Sequence, residues 1–121
     1  MANEITLNLK MQVEKSFLSH SENPGVLSVD MSGSNAIGGV QTIGTTAEAI
    51  TITDVSTPGY AYFRNTDSTN FVDIGTGTGA SFVPFAKLKK GEACIMRLST
   101  TAPTARANTA ALTLQFYILA D

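Results

Sequence analysis

Tryptophan is absent from this 121-residue chain, and histidine and cysteine occur once each. A lone Cys94 excludes an intrachain disulfide, so stability must come from packing, to which subunit association can add. One histidine and one cysteine cannot supply the nitrogen and sulfur ligands of a zinc site. Nor can they supply the two-histidine, one-carboxylate set of metal enzymes built on a double-stranded β-helix. Charge is also scarce, at 15% of residues against the quarter usual in soluble domains. With eight Lys and Arg against ten Asp and Glu, the net charge is −2, and no nucleic-acid partner is expected. The one cationic cluster, Lys87, Lys89 and Lys90, precedes Gly91 and reads as a solvated turn. No segment approaches the roughly 18 apolar residues of a membrane span, so no membrane partner is expected either. The opening Met1-Ala2-Asn3-Glu4-Ile5 lacks the basic start and apolar run of a secretory signal, which implies cytoplasmic synthesis.

Hydrophobic residues still make up 43%, enough for one folded core, and the length suits a single domain over residues 1–121. Short neutral side chains (Ser, Thr, Asn) and Gly take the place of charge. Such a surface costs little desolvation or rotamer entropy when it is buried against a neighbour.

Period-two alternation dominates the pattern. Ile5, Leu7, Leu9, Met11 and Val13 alternate with polar residues, and so do Leu112, Leu114, Phe116 and Ile118 at the far end. These two long strands are expected to pair in one sheet, which would cover an edge. Shorter strands are expected at 26–31, 37–43, 49–53, 60–64, 71–74, 81–88 and 93–98, divided by turn chemistry such as Asn23-Pro24-Gly25, Pro58-Gly59 and Lys90-Gly91. Helical periodicity is missing. Eight or nine antiparallel strands at this spacing predict an all-β sandwich, jelly-roll-like in architecture.

Candidate chemistry is thin. A Ser-His-Asp triad needs its histidine as an oriented base, but His20 lies in a polar stretch read as a loop. Cys94 shares a strand face with Met96 and Leu98, which favours a buried thiol over a reactive thiolate. The run Gly75-Thr76-Gly77-Thr78-Gly79 lacks the Gly-Lys-Ser/Thr ending and the helix of a phosphate loop, and it leads into a strand as a hairpin tip. Asp67 and Asp73, with Asn65 and Asn70, suggest either a weak calcium site or Asx turns, and turns explain them without a metal. No catalytic residue, metal or cofactor is therefore assigned.

Tyr60-Ala61-Tyr62-Phe63-Arg64 is the segment best suited to binding. Alternation puts Tyr60, Tyr62 and Arg64 on one face, opposite Ala61 and Phe63. Tyrosine and arginine are the residues favoured at interface hot spots. Tyrosines can equally stack on a sugar, or simply cover the sheet.

Several stretches carry a resemblance to a known group. They are Gly38-Gly39-Val40-Gln41-Thr42-Ile43-Gly44-Thr45-Thr46, Gly59 to Asn65, Asn70-Phe71-Val72-Asp73-Ile74-Gly75, Phe82 to Glu92, and Leu114 to Leu119. Over about two thirds of its length the chain resembles short tailed-phage and prophage virion proteins. The resemblance implies a non-enzymatic virion component, a capsid decoration (cement) protein or a head or tail accessory protein, made in the host cytoplasm. Its implied partners are further copies of itself, with a trimer as the first expectation, and other virion proteins such as the major capsid protein. The alternative expectation is a carbohydrate-binding or host-attachment module using the tyrosine face.

Overall fold

A computed structural model of the chain describes residues 3–99 and 102–121; Met1 and Ala2, part of the opening read for a secretory signal, lie outside them. The single sandwich expected over residues 1–121 occupies the second of two compact units, Gly33–Asp121, and the first is Met1–Ser32.

The first unit is a two-stranded ribbon, β1 (Ile5–Lys15) and β2 (Leu18–Val29), joined by Ser16 and Phe17. This corrects two expectations. β1 pairs with its neighbour β2 and not with the last strand, and His20 stands on a strand and not in a loop. The Asn23-Pro24-Gly25 breaker is absorbed as a bulge. Leu9 pairs with Gly25 and Met11 with Glu22, so Asn23 and Pro24 together oppose Lys10. Gly25 takes a positive φ of 80°, and its N–H donates to Asn23 Oδ1 at 3.0 Å. Proline has no N–H for a ladder, so a bulge in a two-stranded ribbon is where it is tolerated.

The second unit is the predicted all-β sandwich. Its strands are β3 (Ala36–Ile43), β4 (Glu48–Ala49), β5 (Pro58–Asn65), β6 (Val72–Thr76), β7 (Val83–Leu88), β8 (Ala93–Arg97), β9 (Thr104–Ala107) and β10 (Leu112–Ala120). They form two four-stranded sheets, ordered β3-β10-β5-β8 and β4-β9-β6-β7, with every pairing antiparallel. The pairs β3·β10, β4·β9, β5·β8 and β6·β7 are those of one long hairpin rolled over on itself, which is the jelly-roll order. The tip of that hairpin falls at the glycine-rich run, where Gly77 and Gly79 adopt positive φ ahead of a single 3-10 turn at Gly79–Ser81.

The core lies between the sheets. Ala61, Phe63, Leu112, Leu114, Phe116 and Ile118 point in from one sheet, and Val72, Ile74, Leu88, Ala105 and Ala107 from the other. β9 lies outside the sequence expectations because Thr-Ala-Arg-Ala carries little hydrophobic signal. Its two alanines are nonetheless fully buried. The expected strand 49–53 shortens to β4, since the ladder stops after Ala49 and Thr51 N–H donates instead to the Gln41 side chain at 2.9 Å.

Two amides join the sheets. Gln41, Leu114 and Asn65 lie side by side across β3, β10 and β5. Gln41 Nε2 donates to Ala49 O (3.1 Å) and Glu48 Oε1 (3.3 Å). Asn65, fully buried, donates through Nδ2 to Asn70 O (2.8 Å) and Leu88 O (3.0 Å), and its Oδ1 accepts from Asp67 N–H (2.9 Å). A buried amide is tolerated because its hydrogen-bonding capacity is used.

Candidate interaction surfaces

The outer face of the sheet β3-β10-β5-β8 is built by the same alternation that fills the core. With Phe63 and Ala61 buried, Tyr60, Tyr62 and Arg64 point outward, as expected from the sequence. Strand register then gathers residues that the sequence does not link. One row across the sheet is Gly38, Tyr117, Tyr62 and Ile95, and the next is Val40, Gln115, Arg64 and Ala93. All three tyrosines of the chain stand on this face. Val40 is 66% exposed and Tyr117 53% exposed, beside the exposed Ile95. Tyr117, Val40 and Ile95 went unassigned in the sequence because nothing in the chain order says that β10 lies between β3 and β5.

Local packing fixes several of these side chains. The Tyr117 ring lies over Gly38, where a Cβ would collide with the ring. Glycine is needed at 38 for that close approach. The Arg97 guanidinium stacks 4.4 Å from the Tyr60 ring centroid and pairs with Asp121 at 3.0 Å. The Asp121 hydrogen bond raises the Arg97 pKa further above its ordinary value, so the group stays charged. The result is an aromatic face carrying Arg64 and Arg97, the kind of surface that binds by area and stacking.

The opposite sheet presents a different exterior. Arg106 reaches Asp73 at 3.4 Å and stacks 4.7 Å from Phe82, while Lys87 lies 4.2 Å from the Phe71 ring. A shallow depression of about 360 Å³ is lined by Asp73, Pro84, Phe85, Ala86 and Lys87. A second cavity, of about 340 Å³, is lined by apolar side chains including Phe85, Met96, Leu98 and Pro103.

The residues with chemical potential are not brought together. His20 Nε2 meets Glu22 Oε1 at 2.6 Å on the ribbon. Cys94 is half-buried in the sandwich, and that burial pushes its thiol pKa above the ordinary value. Asp67 is occupied by its own turn, accepting from Thr69 N–H at 2.9 Å and Asn70 N–H at 2.6 Å, which lowers its pKa. Asp73 belongs to the Arg106 pair. Among the described residues no three His, Cys, Asp or Glu side chains gather as a metal site. What the surfaces offer chemically is stacking and apolar contact. Comparison with protein-family models, with curated proteins and with solved structures finds no match to this chain.

Proposed function

We propose that this protein is a non-enzymatic virion structural component that works by self-association and by attachment to other particle proteins. The observation that carries this reading is the outer sheet face, where Tyr60, Tyr62, Tyr117, Val40 and Ile95 converge beside Arg64 and Arg97. Aromatic and arginine side chains dominate the energetics of protein interfaces. The jelly roll supports the same reading, because its rigid sheets hold such a face in one shape without a ligand. So does the low charge of the chain, and so does the resemblance to phage virion proteins. The role envisaged is capsid decoration, or a head or tail accessory role, through a homo-oligomer.

Native mass spectrometry of the full chain tests self-association: a multiple of the 12.7 kDa subunit is expected. A strictly monomeric protein would contradict it. The adjacent outward rings of Tyr62 and Tyr117 also suit a sugar face. Specific glycan-array binding, lost in a Tyr60→Ala/Tyr62→Ala variant of unchanged melting temperature, would replace assembly with carbohydrate attachment.

A further inference from the structure

The β1–β2 ribbon is amphipathic and carries charge of opposite sign at two positions on its apolar face. Ile5, Leu7, Leu9, Met11, Val13 and Lys15 share one face of β1, and across from the last three stand Glu22, His20 and Leu18. The opposite face of β1 is Thr6, Asn8, Lys10, Gln12 and Glu14. Toward the turn Met11 is 65% exposed, Leu18 57% and Phe17 at the tip fully exposed, with Val13 between them half-buried. An isolated two-stranded hairpin is marginal in water and needs a further strand or layer against its apolar face.

We infer that the distal half of this ribbon is a contact between two copies of the chain, packed face to face and antiparallel about a two-fold axis at the Val13–His20 pair. The inference rests on the reading of the protein as self-associating and names a second surface for it. Charge selects the arrangement. Three successive rows of the face are Met11/Glu22, Val13/His20 and Lys15/Leu18. An antiparallel second copy lays its Lys15/Leu18 row over the Met11/Glu22 row, so each Lys15 comes beside the partner's Glu22. A parallel copy would lay Lys15 beside Lys15 and Glu22 beside Glu22. Glu22 already bonds His20 through one oxygen, and a carboxylate has two.

Size sets the strength. The overlap of two such half-ribbons is roughly 25–30 Å long and about 10 Å wide. That buries a few hundred Å² per copy, short of the roughly 800 Å² per partner in a standard stable complex. The contact is therefore weak alone, with a dissociation constant of roughly 10⁻⁴ M. It gains strength where the sheet face already holds copies together.

Sedimentation equilibrium of the full chain tests this, run on wild type and in a Tyr60→Ala/Tyr62→Ala background that weakens the sheet-face contact. In that background Lys15→Glu and Glu22→Lys are each expected to raise the dimer dissociation constant about tenfold, and the double swap Lys15→Glu/Glu22→Lys to restore it. A repair confined to the chain itself would not give that rescue, because the two side chains stand one row to either side of the dyad and so two rows apart within one chain. Val13→Asp is expected to abolish the dimer without shifting the melting of the sandwich. Single variants without effect, or a double swap as weak as the singles, would overturn the ribbon contact and leave self-association through the sheet face standing. Wild-type protein that stays at 12.7 kDa up to millimolar concentration would overturn both.

Discussion

Replacing Asn65 with alanine should be the most damaging single change outside the apolar core. The side chain is fully buried between the sheets and makes three hydrogen bonds, to Asn70 O, Leu88 O and Asp67 N–H. Alanine removes all three and leaves two carbonyls and one N–H short of a partner. At about 1 kcal/mol net per bond, the expected loss is about 3 kcal/mol. A sandwich of this size unfolds with an entropy near 0.2 kcal/mol per kelvin, so the melting temperature should fall by about 15 °C. Calorimetry, with Gln115→Ala as an exposed control on the adjacent β10, provides the comparison; the control should shift it by 2 °C or less. Asn65→Asp should be at least as harmful at neutral pH, because a carboxylate cannot donate to Asn70 O and Leu88 O. A fall below about 4 °C for Asn65→Ala would refute the assignment of this amide as the brace between the sheets.

Three other perturbations read separate parts of the structure. Gly75 stands at a bulge where an added Cβ would press into Val83 O and within 2.7 Å of Pro84 Cα. Gly75→Ala should therefore cost about 2–3 kcal/mol, seen as a lower urea midpoint with an unchanged slope; a neutral result would refute the close approach. The Asp67 carboxyl is held below its ordinary 3.8 by the Asn70 and Thr69 N–H groups. Its stabilising effect is present above that ordinary value and is lost as pH falls through the lower folded value. A carbon-detected titration should place its midpoint below 3.8, and a midpoint at or above 3.8 would contradict the turn geometry. Gly38→Ala should push the near edge of the Tyr117 ring, Cδ2 and Cε2, off β3 at a cost of about 1–2 kcal/mol, because the half-exposed ring must turn outward as a whole. Unchanged Tyr117 ring resonances in that variant would refute the stacking.

Much of the sandwich was legible because period-two alternation survives wherever one face of a strand is buried. Leu112 to Ile118 and Tyr60 to Arg64 are oriented as their patterns indicate, with Phe63, Leu114 and Ile118 fully buried. The sequence was less informative where burial is achieved by small or polar residues. Ala105 and Ala107 fill the core without a hydrophobic run, and Asn65 looks like part of a surface loop until its three partners are known. Pro24 reads as the end of a strand, but a bulge takes up its missing N–H and β2 continues through it. The candidate surface divides in the same way. Tyr60, Tyr62 and Arg64 follow from alternation within one strand. Tyr117, Val40 and Ile95 join them only through the neighbours of β5 and β10 in the sheet, a non-local property that local pattern does not encode.

Association of this chain with particles is read from the composition of the particles themselves. Gradient-purified virions from cells producing the protein, analysed by quantitative mass spectrometry, are expected to contain it in many copies, in a fixed ratio to the major capsid or tail protein. Its absence from washed particles, with the protein recovered free in the lysate, would contradict the account.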